Sequence, residues 1–279
     1  MEQTPRAKEI LRGLTTCYAK KLWNPLRKAV ENYQLIQPGD RIAVCISGGK
    51  DSLLLALLMQ CFVRYGGIPF ELEFLSIDPG YTQEHLDQLR RGAQDLSIPL
   101  TIAQEDIFQA AGGMGKNPCF YCSRLRRAKL YARAQEMGCN KIALGHHYDD
   151  VVETILMGML YGGQIQTMMP KLYAKSFPVQ VIRPLYLVRE ADIRTWAQEV
   201  ELPTLRCSCR ITQHQDGAEV SKRQEVKALL AQLRQVNPQI EANIFNSVSQ
   251  VDLNKILGCH RGENQWNFLD DYGKPSSLL

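Results

Sequence analysis

The sequence lacks the long apolar runs that membrane-spanning and secreted proteins carry. Its 279 residues contain no run of about 18 uncharged apolar residues, the length that a transmembrane helix needs. The first residues, Met-Glu-Gln-Thr-Pro-Arg-Ala-Lys-Glu, contain no apolar signal core. There is also no internal repeat and no low-complexity tract, which argues against a repeat architecture. We therefore expect a cytoplasmic globular protein with no membrane partner.

The chain also has little excess of either charge. Its formal net charge is only +4, so the local distribution of basic residues must carry any argument for a nucleic-acid partner. The nine cysteines are an odd number in a long, intracellular-looking chain, which argues against a disulfide framework and for metal or redox chemistry. A hydrophobic content of 45% is enough for one large α/β domain, with or without appendages.

The most informative segment is the motif Ser-Gly-Gly-Lys-Asp-Ser at residues 47–52. An apolar run at 42–46 predicts a buried parallel strand, and an apolar helical pattern follows the motif at 53–59. Paired glycines let backbone N–H groups approach an anion, and a helix start adds unsatisfied donors and a positive dipole end. With two serine hydroxyls and the charge of Lys50, the motif predicts a phosphate-binding loop. An ordinary turn with a helix cap is the alternative.

The motif differs from the loop of the common nucleoside triphosphatases. That loop needs Gly-x-x-x-x-Gly-Lys-Ser/Thr, whereas here Asp51 follows Lys50 and Val44 stands where the first glycine belongs. A carboxylate repels a nucleotide unless a cation bridges them, so the sequence implies Mg²⁺. The pattern resembles the pyrophosphate loop (PP-loop) of the ATP pyrophosphatase superfamily, whose members adenylate a substrate and release pyrophosphate. We expect ATP and Mg²⁺ as cofactors and Lys50 and Asp51 as catalytic residues.

Strands alternate with helices along the middle of the chain, which is typical of a doubly wound parallel sheet, an α/β fold. Ligands of such sheets bind at the carboxyl ends of strands. We expect this domain at 37–217, an N-terminal helical segment at 1–36, and a C-terminal appendage at 218–279 that is helical to about residue 257 and then loose. A loop is predicted at 110–118. The predicted strands lie at 42–46, 70–77, 100–103, 141–144 and 179–183. The predicted helices of the domain lie at 82–96, 123–137, 149–161 and 190–200.

A second candidate site is the Cys-x-x-Cys pair of Cys119 and Cys122. Such a pair alone is ambiguous, because it occurs in redox, zinc and iron–sulfur sites. The context of a thioredoxin motif is missing. A four-thiolate zinc site needs a second pair, for which the chain offers only Cys207 and Cys209, separated by one residue. Three or four cysteines from two distant segments can therefore converge on one cluster.

A third motif, Gly-His-His-Tyr-Asp-Asp at 145–150, follows the fourth predicted strand. Its glycine permits close approach of a ligand, and its carboxylates and histidines can hold Mg²⁺ or transfer protons. The same carboxylates also suit helix capping. Because a phosphate loop is predicted in the same sheet, we favour a functional role for Gly145 and Asp149. For His147 and Asp150, helix capping and a functional role both stay open.

Together the three motifs, the second followed by Ser-Arg-Leu-Arg-Arg, closely resemble the tRNA 2-thiocytidine synthetase family. The likeness runs from about residue 20 to about residue 250. Members of this family carry a doubly wound pyrophosphatase domain and use ATP, Mg²⁺ and a [4Fe–4S] cluster to replace an oxygen of a tRNA base with sulfur. The resemblance implies tRNA as the partner, and a cysteine desulfurase or free sulfide as the sulfur donor. We also expect a homodimer.

Carried over to this chain, the resemblance implies a role for three groups of residues. The cluster ligands would be Cys119, Cys122 and Cys207, which leaves one iron without a protein ligand and free to hold sulfide. Asp149 matches a carboxylate to which the family assigns catalysis. The ATP-binding residues would be Ser47, Gly48, Gly49, Lys50, Asp51, Ser52, Ser76, Ile77, Asp78, Gly145 and His146.

The chain departs from the family pattern near the third cysteine. The family shows Pro-Cys-x-x-Cys, whereas here Arg206 precedes Cys207 and a single residue separates Cys207 from Cys209. Cys209 is therefore an alternative ligand. The segment 210–221 and the C-terminal tail also differ from the family pattern. The modified base and its position in the tRNA stay open.

Basic residues beside the cysteine pair favour an RNA partner, because phosphate contacts need such a surface. A solvated helix face is the alternative. Tyr161, Tyr173 and Trp196 can stack on bases, although core packing is the commoner role of aromatics. The predicted surface consists of Arg124, Arg126, Arg127, Lys129 and Arg133. Its predicted extension consists of Lys171, Lys175, Arg206, Arg210, Lys222 and Arg223.

The sequence thus predicts an ATP-dependent tRNA sulfurtransferase. ATP would adenylate the C2 oxygen of an accessible cytidine, and sulfide from the cluster would displace AMP. A carbon–nitrogen ligase such as tRNA lysidine synthetase is an alternative, but its amine nucleophile leaves the cysteine pair without a role. A thiolase acting on another base or on a small molecule is a second alternative. A zinc-stapled tRNA-binding module without catalysis is a third, against which the phosphate loop argues.

Overall fold

A six-stranded sheet forms the centre of the fold. The computed structural model describes residues 3–112, 118–174, 176–205, 221–270 and 272, and of residues 109, 111, 112 and 118–120 it describes the backbone alone. The strands are β1 (Arg41–Cys45), β2 (Glu71–Asp78), β3 (Leu100–Gln104), β4 (Lys141–Ala143), β5 (Lys171–Tyr173) and β6 (Gln180–Ile182).

The order of the strands across the sheet is β3-β2-β1-β4-β6-β5. All neighbouring strands are parallel except β5, which pairs antiparallel with β6 at the edge. The order reverses between β1 and β4, which are adjacent. In a doubly wound sheet this reversal opens a crevice at the carboxyl ends of the two strands. The predicted α/β fold is confirmed.

Helices connect the strands and extend the fold at both ends of the chain. No helix in the described part of the chain has both the length and the apolar character needed to cross a bilayer. The helices are α1 (Pro5–Thr15), α2 (Asn24–Asn32), α3 (Lys50–Tyr65), α4 (Gln83–Asp95), α5 (Ile107–Gly112), α6 (Pro118–Glu136), α7 (Tyr148–Gly162), α8 (Glu190–Glu199), α9 (Lys222–Val236) and α10 (Ile240–Ser247).

Alternate residues of β1 pack into hydrophobic clusters on opposite faces of the sheet. Ile42 and Val44 belong to the larger cluster, which includes the buried side of α3. Ala43, between them, belongs to a smaller cluster that contains Ala134 of α6. Because both faces are covered, the strand is a continuous apolar run, the pattern from which it was predicted.

Three features within residues 1–180 differ from the sequence predictions. The N-terminal segment is two helices separated by a π-helical turn at Ala19–Trp23, after which Pro25 stands in the first turn of α2. Proline is tolerated there because the first N–H groups of a helix have no partner within it. Helix α5 reaches into the predicted loop at 110–118, and α6 begins before the predicted residue 123. Strand β5 was not predicted, because three residues are too few to show a period.

The C-terminal appendage is less helical than predicted. Helix α9 ends before Pro238, and the preceding Asn237 is extended, as the residue before a proline usually is. After α10, a hairpin of β7 (Gly258–Arg261) and β8 (Asn264–Asn267) stands where a loose tail was expected. Gly262 has a positive φ of 64° in its tight turn. The proposed domain boundaries stay a prediction, but α9 packs on α7 through a cluster of Val152, Val226 and Leu230.

Candidate active site

The two loops predicted to carry function follow adjacent strands. Val44 of β1 pairs with Ala143 of β4, so the motifs at 47–52 and 145–150 leave the sheet side by side. They border a cavity of about 580 Å³, within the size range of small-molecule sites. From the predicted set, the residues lining this cavity are Ser47, Asp51, Ser52, Ile77, Cys122, Gly145 and His146. Cys45, Tyr81, Phe108, Arg126, Arg127 and Asp150 line it as well.

The phosphate loop is held in shape by its own serines. The Ser47 N–H donates to Ser52 Oγ at 3.1 Å, and the Ser52 hydroxyl donates to the Gly49 carbonyl oxygen at 2.9 Å. Gly48 has a φ of 81°, and a Cβ there would lie 2.6 Å from the Leu205 side chain. Gly49 begins α3 without a side-chain cap. The loop therefore presents an uncapped helix N-terminus, which suits an anion.

The loop lysine lies between two carboxylates. Lys50 Nζ donates to Asp51 Oδ2 at 3.1 Å and to Glu190 Oε1 at 3.2 Å. Asp51 Oδ1 is buried and has no hydrogen-bond partner among the described residues. An unpartnered carboxylate oxygen at a phosphate loop fits Mg²⁺, which binds proteins through one or two carboxylates and takes its other ligands from substrate phosphates and water. In the described part of the chain, no three Asp, Glu, His or Cys side chains converge to hold a metal ion by themselves.

The first two residues of the second motif face the phosphate loop. A Cβ on Gly145 would lie 3.2 Å from backbone atoms of Asp51 and Ser52, so glycine allows the two loops to touch. His146 Nδ1 is buried and has no partner among the described residues. Burial, reinforced by the nearby Arg183 guanidinium, lowers the pKa of His146 to about 4. The imidazole is therefore neutral at pH 7 and offers one donor and one acceptor to a ligand.

The open question about His147 and Asp150 is answered by the start of α7. The two residues form a capping box in which Asp150 Oδ2 accepts the His147 N–H at 2.9 Å and His147 Nδ1 accepts the Asp150 N–H at 3.4 Å. With Nδ1 accepting, the proton lies on Nε2, which is 4.0 Å from Asp51 Oδ1. Both residues cap the helix, and Asp150 also lines the cavity.

Asp149 has a buried carboxylate held by neighbouring elements. Its Oδ2 accepts the backbone N–H of Glu190 at 2.7 Å. Its Oδ1 lies 3.5 Å from Arg189 and 3.6 Å from Arg234. It is not among the residues that line the cavity. These contacts are those of a positioning residue, and a direct catalytic role for Asp149 stays a prediction.

The predicted adenine segment, Ser76 to Asp78, ends strand β2. Ile77 lines the cavity, and Ser76 Oγ is buried without a partner among the described residues. Asp78 Oδ1 accepts the N–H groups of Gly80 and Tyr81 at 2.9 and 2.7 Å. The Asp78 side chain thus shapes its own turn, which leaves the backbone of this segment as the part that can meet a base.

The three predicted cluster cysteines are described to different extents. Cys122, in the first two turns of α6, lines the cavity. Cys119 lies in the same helix three positions earlier, a spacing that places two residues on one side of a helix. Cys207 and the alternative Cys209 lie outside the described residues. Leu205, just before them in sequence, donates its N–H to the Gly48 carbonyl at 3.0 Å. The full ligand set stays a prediction.

The predicted RNA surface on α6 divides into two halves. Arg126 and Arg127 line the cavity, close to Cys122. Lys129 and Arg133 instead form ion pairs with Glu105, at 2.8 and 3.2 Å. Glu105 partly offsets the charge of these two residues, and the prediction of a basic RNA-binding surface on α6 stays a prediction.

The other residues that were predicted to contact RNA also differ in whether they are engaged within the protein or exposed. Trp196 is fully buried and belongs to the core. The hydroxyl of Tyr161 donates to Glu225 of α9, while Tyr173 is 74% exposed. Arg223 is engaged in ion pairs with the start of α7. Lys175, Arg206 and Arg210 lie outside the described residues.

Glu190 is a residue of the site that the sequence prediction missed. Burial alone would raise the pKa of its carboxyl, but hydrogen bonds from Arg194 and Lys50 and the charges of Lys50 and Lys227 lower it to about 2. The carboxylate is therefore ionised at all physiological pH values. In the sequence it was only the first residue of a predicted helix, where a carboxylate is commonly a cap. Nothing local indicated its contact with Lys50.

Comparison with known proteins agrees with this site. The PP-loop domain family matches residues 18–204. A tRNA-cytidine(32) 2-sulfurtransferase of Coxiella burnetii is 35% identical over 252 residues, 89% of this chain and 95% of that protein. The enzyme of the same name from Legionella pneumophila is 38% identical over 253 residues, 89% of this chain and 86% of that protein.

A solved structure shares the fold. The U34-tRNA thiolase NcsA from Methanococcus maripaludis, determined with its [4Fe–4S] cluster, superposes with a TM-score of 0.64 at 22% identity. The match covers 85% of this chain and 80% of that one. The sequence matches place the chain among transferases. It belongs to the PP-loop domain family and, within it, to the family of tRNA-cytidine(32) 2-sulfurtransferases.

Proposed function

We propose that this enzyme uses ATP to replace the C2 oxygen of a tRNA cytidine with sulfur that is supplied through a [4Fe–4S] cluster. AMP and pyrophosphate are the other products. The relatives are named for cytidine 32 of tRNA, which supports that nucleotide as the target. The observation that carries the proposal is that Cys122 and the phosphate-loop residues Ser47 and Asp51 line one cavity.

The phosphate loop supports the adenylation step. The C2 oxygen attacks the α-phosphorus of ATP, the new O–P bond forms, and pyrophosphate leaves with the electron pair of the broken P–O bond. Negative charge then builds on the leaving group. Lys50 and the uncapped N-terminus of α3 lie where they can stabilise that charge. Mg²⁺ bound at Asp51 Oδ1 would add a Lewis acid on the phosphate oxygens.

Adenylation makes the C2 oxygen a leaving group for the sulfur step. Hydrosulfide adds at C2, loses its proton, and AMP departs with the electrons of the C–O bond. A [4Fe–4S] cluster held by Cys119, Cys122 and Cys207 would supply sulfide at its open iron. Cys122 meets this requirement because it borders the cavity that holds the phosphate loop. The NcsA structure carries such a cluster on the same fold, which supports the choice of cofactor.

Cavity-lining arginines support RNA as the substrate. Arg126 and Arg127 line the cavity, whereas Lys129 and Arg133 of the same helix share ion pairs with Glu105. Neither arginine forms an ion pair with a described carboxylate, so both remain available to RNA phosphates. The sulfur donor is a cysteine desulfurase or free sulfide. The homodimer stays a prediction.

One experiment distinguishes this proposal from the alternative, an amine ligase such as tRNA lysidine synthetase. The protein is purified without oxygen, and iron, sulfide and zinc are counted for the wild type and for Cys122→Ser. We expect iron and sulfide in the wild type and their loss in the variant, together with loss of thiolation. Cys139→Ser is the matched control, since Cys139 is buried in the hydrophobic cluster against α6. Zinc without iron in the wild type would contradict the proposed iron–sulfur cluster.

A further inference from the structure

The contacts of Lys50 continue into a ring of charged and polar groups around the phosphate loop. Lys50 pairs with Glu190 at 3.2 Å, and Glu190 with Lys227 of α9 at 3.6 Å. Lys227 pairs with Glu153 at 3.5 Å, and Glu153 with Arg223 at 2.7 Å. The ring joins the loop to α7, α8 and the C-terminal appendage.

The remaining side of the ring returns to the phosphate loop through the capping box. Arg223 pairs with Asp150 at 3.1 Å, and Asp150 caps α7 together with His147. His147 Nε2 lies 4.0 Å from Asp51, which pairs with Lys50 at 3.1 Å. Charges of opposite sign alternate from Lys50 through Glu190, Lys227, Glu153 and Arg223 to Asp150, so each group between the two ends has two oppositely charged neighbours.

Glu190 is held in this ring by several contacts. Its side chain is only 15% exposed, and Arg194 holds the same Oε1 atom at 2.9 Å. Its backbone N–H donates to Asp149 at 2.7 Å, which ties the start of α8 to the start of α7. The Glu190 carboxylate therefore cannot follow a movement of Lys50 without breaking several other contacts.

We propose that Glu190 is a positioning residue for Lys50, and that α9 supports it through Lys227. An ammonium group has three N–H donors. Asp51 and Glu190 accept two of them, so the third has a defined direction. That donor is the one left for a phosphate oxygen of ATP. A lysine that is already positioned stabilises mainly the transition state, because the negative charge that develops there lies at a defined place.

This inference rests on the proposed use of ATP at the phosphate loop. The test measures kcat and KM for tRNA-dependent release of pyrophosphate by the wild type, Glu190→Ala, Lys50→Met and the double variant. We expect Glu190→Ala to lower kcat about tenfold with a change in ATP KM below about threefold. Glu190→Gln keeps an acceptor oxygen and restores most of the kcat. Glu199→Ala is the matched control, because Glu199 lies on the same helix, is exposed, and accepts a hydrogen bond from Tyr18 outside the ring.

The double variant separates positioning from a general loss of structure. If Glu190 acts through Lys50, Glu190→Ala causes no further loss in the Lys50→Met background. Losses that multiply, or a Glu190→Gln variant as impaired as Glu190→Ala, would overturn the inference while the proposed function stands. A wild type that releases no pyrophosphate with tRNA would overturn the proposed function itself, and this inference with it.

Discussion

Lys50 Nζ lies 3.2 Å from Glu190 Oε1, although 140 residues separate the two in sequence. The contact joins the first turn of α3 to the first turn of α8. Both helices begin at the same end of the sheet, and Lys50, Asp51 and Arg194 of α8 line a second cavity of about 560 Å³ on the other side of the phosphate loop. Charges at these two helix starts therefore decide how the phosphate loop meets ATP.

Removal of the loop carboxylate tests the metal-assisted step. Asp51→Ala should lower the conversion of ATP to AMP at least about 100-fold, because the Mg²⁺ ligand and one partner of Lys50 are lost together. The protein should still fold, since Asp51 Oδ1 has no hydrogen-bond partner among the described residues. The measurement is AMP formation with tRNA, with circular dichroism as the check on folding. Undiminished AMP formation would show that Asp51 has no role in the reaction.

The close contact between the two loops makes a prediction for glycine. Gly145→Ala places a Cβ 3.2 Å from the backbone of Asp51 and Ser52, so it should separate the loops and weaken ATP binding. The matched control is Gly162→Ala at the end of α7, where no atom lies within 4 Å of the added Cβ. Isothermal titration with a non-hydrolysable ATP analogue measures the effect. Equal affinities of the two variants would contradict the predicted close packing.

The prediction for RNA concerns Arg126 and Arg127, which line the cavity, and Arg124 beside them in α6. Charge reversal at Arg124, Arg126 and Arg127 should weaken tRNA binding and reduce the slope of log affinity against log salt by about 0.7–0.9 per lost phosphate contact. Lys129→Met is the control, because the Lys129 ammonium already pairs with Glu105 at 2.8 Å. Anisotropy titrations at several salt concentrations measure both. An unchanged slope in the triple variant would mean that RNA binds elsewhere, on the N-terminal helices or the appendage.

The depressed pKa of Glu190 predicts how stability depends on pH. Its carboxyl has a pKa of about 2 in the folded protein against an ordinary value of 4.5. The unfolded chain therefore binds the proton more tightly, and the stability that Glu190 contributes is present above pH 4.5 and lost as pH falls toward 2. Urea unfolding of the wild type should show this loss, and Glu190→Gln should show a smaller slope in the same interval. Parallel curves for the two proteins would show that Glu190 is not ion-paired in solution.

Features that depend on neighbouring residues were predicted correctly from the sequence. The strand, the glycine pair and the helix start at 42–59 follow one another, so their periods and residue types indicate both the local fold and the phosphate loop. The doubly wound parallel sheet, with the phosphate loop at the carboxyl end of a strand, followed from the alternation of strands and helices. The resemblance to tRNA 2-thiocytidine synthetases rested on three such local motifs, and the family comparison confirms it.

Features that depend on distant contacts were not predictable in this way. Glu190 and Lys227 are ordinary helix residues until the fold brings them to Lys50 and Glu153. The pairing of Lys129 with Glu105 was equally invisible in the sequence. Pairwise charge contacts leave no period in the sequence, which is why the motif residues were found and their partners were not.

The central claim is that ATP use and sulfur insertion occur at one cavity, and single-turnover analysis of the tRNA tests it most directly. Anaerobically purified enzyme with a reconstituted cluster is mixed with unmodified tRNA, ATP, Mg²⁺ and sulfide, and the nucleosides and AMP are quantified by mass spectrometry. The account predicts 2-thiocytidine and AMP in equal amounts from the wild type, and no 2-thiocytidine from the Cys122→Ser protein. A modified cytidine without sulfur, or AMP formed with no change in any base, would contradict it.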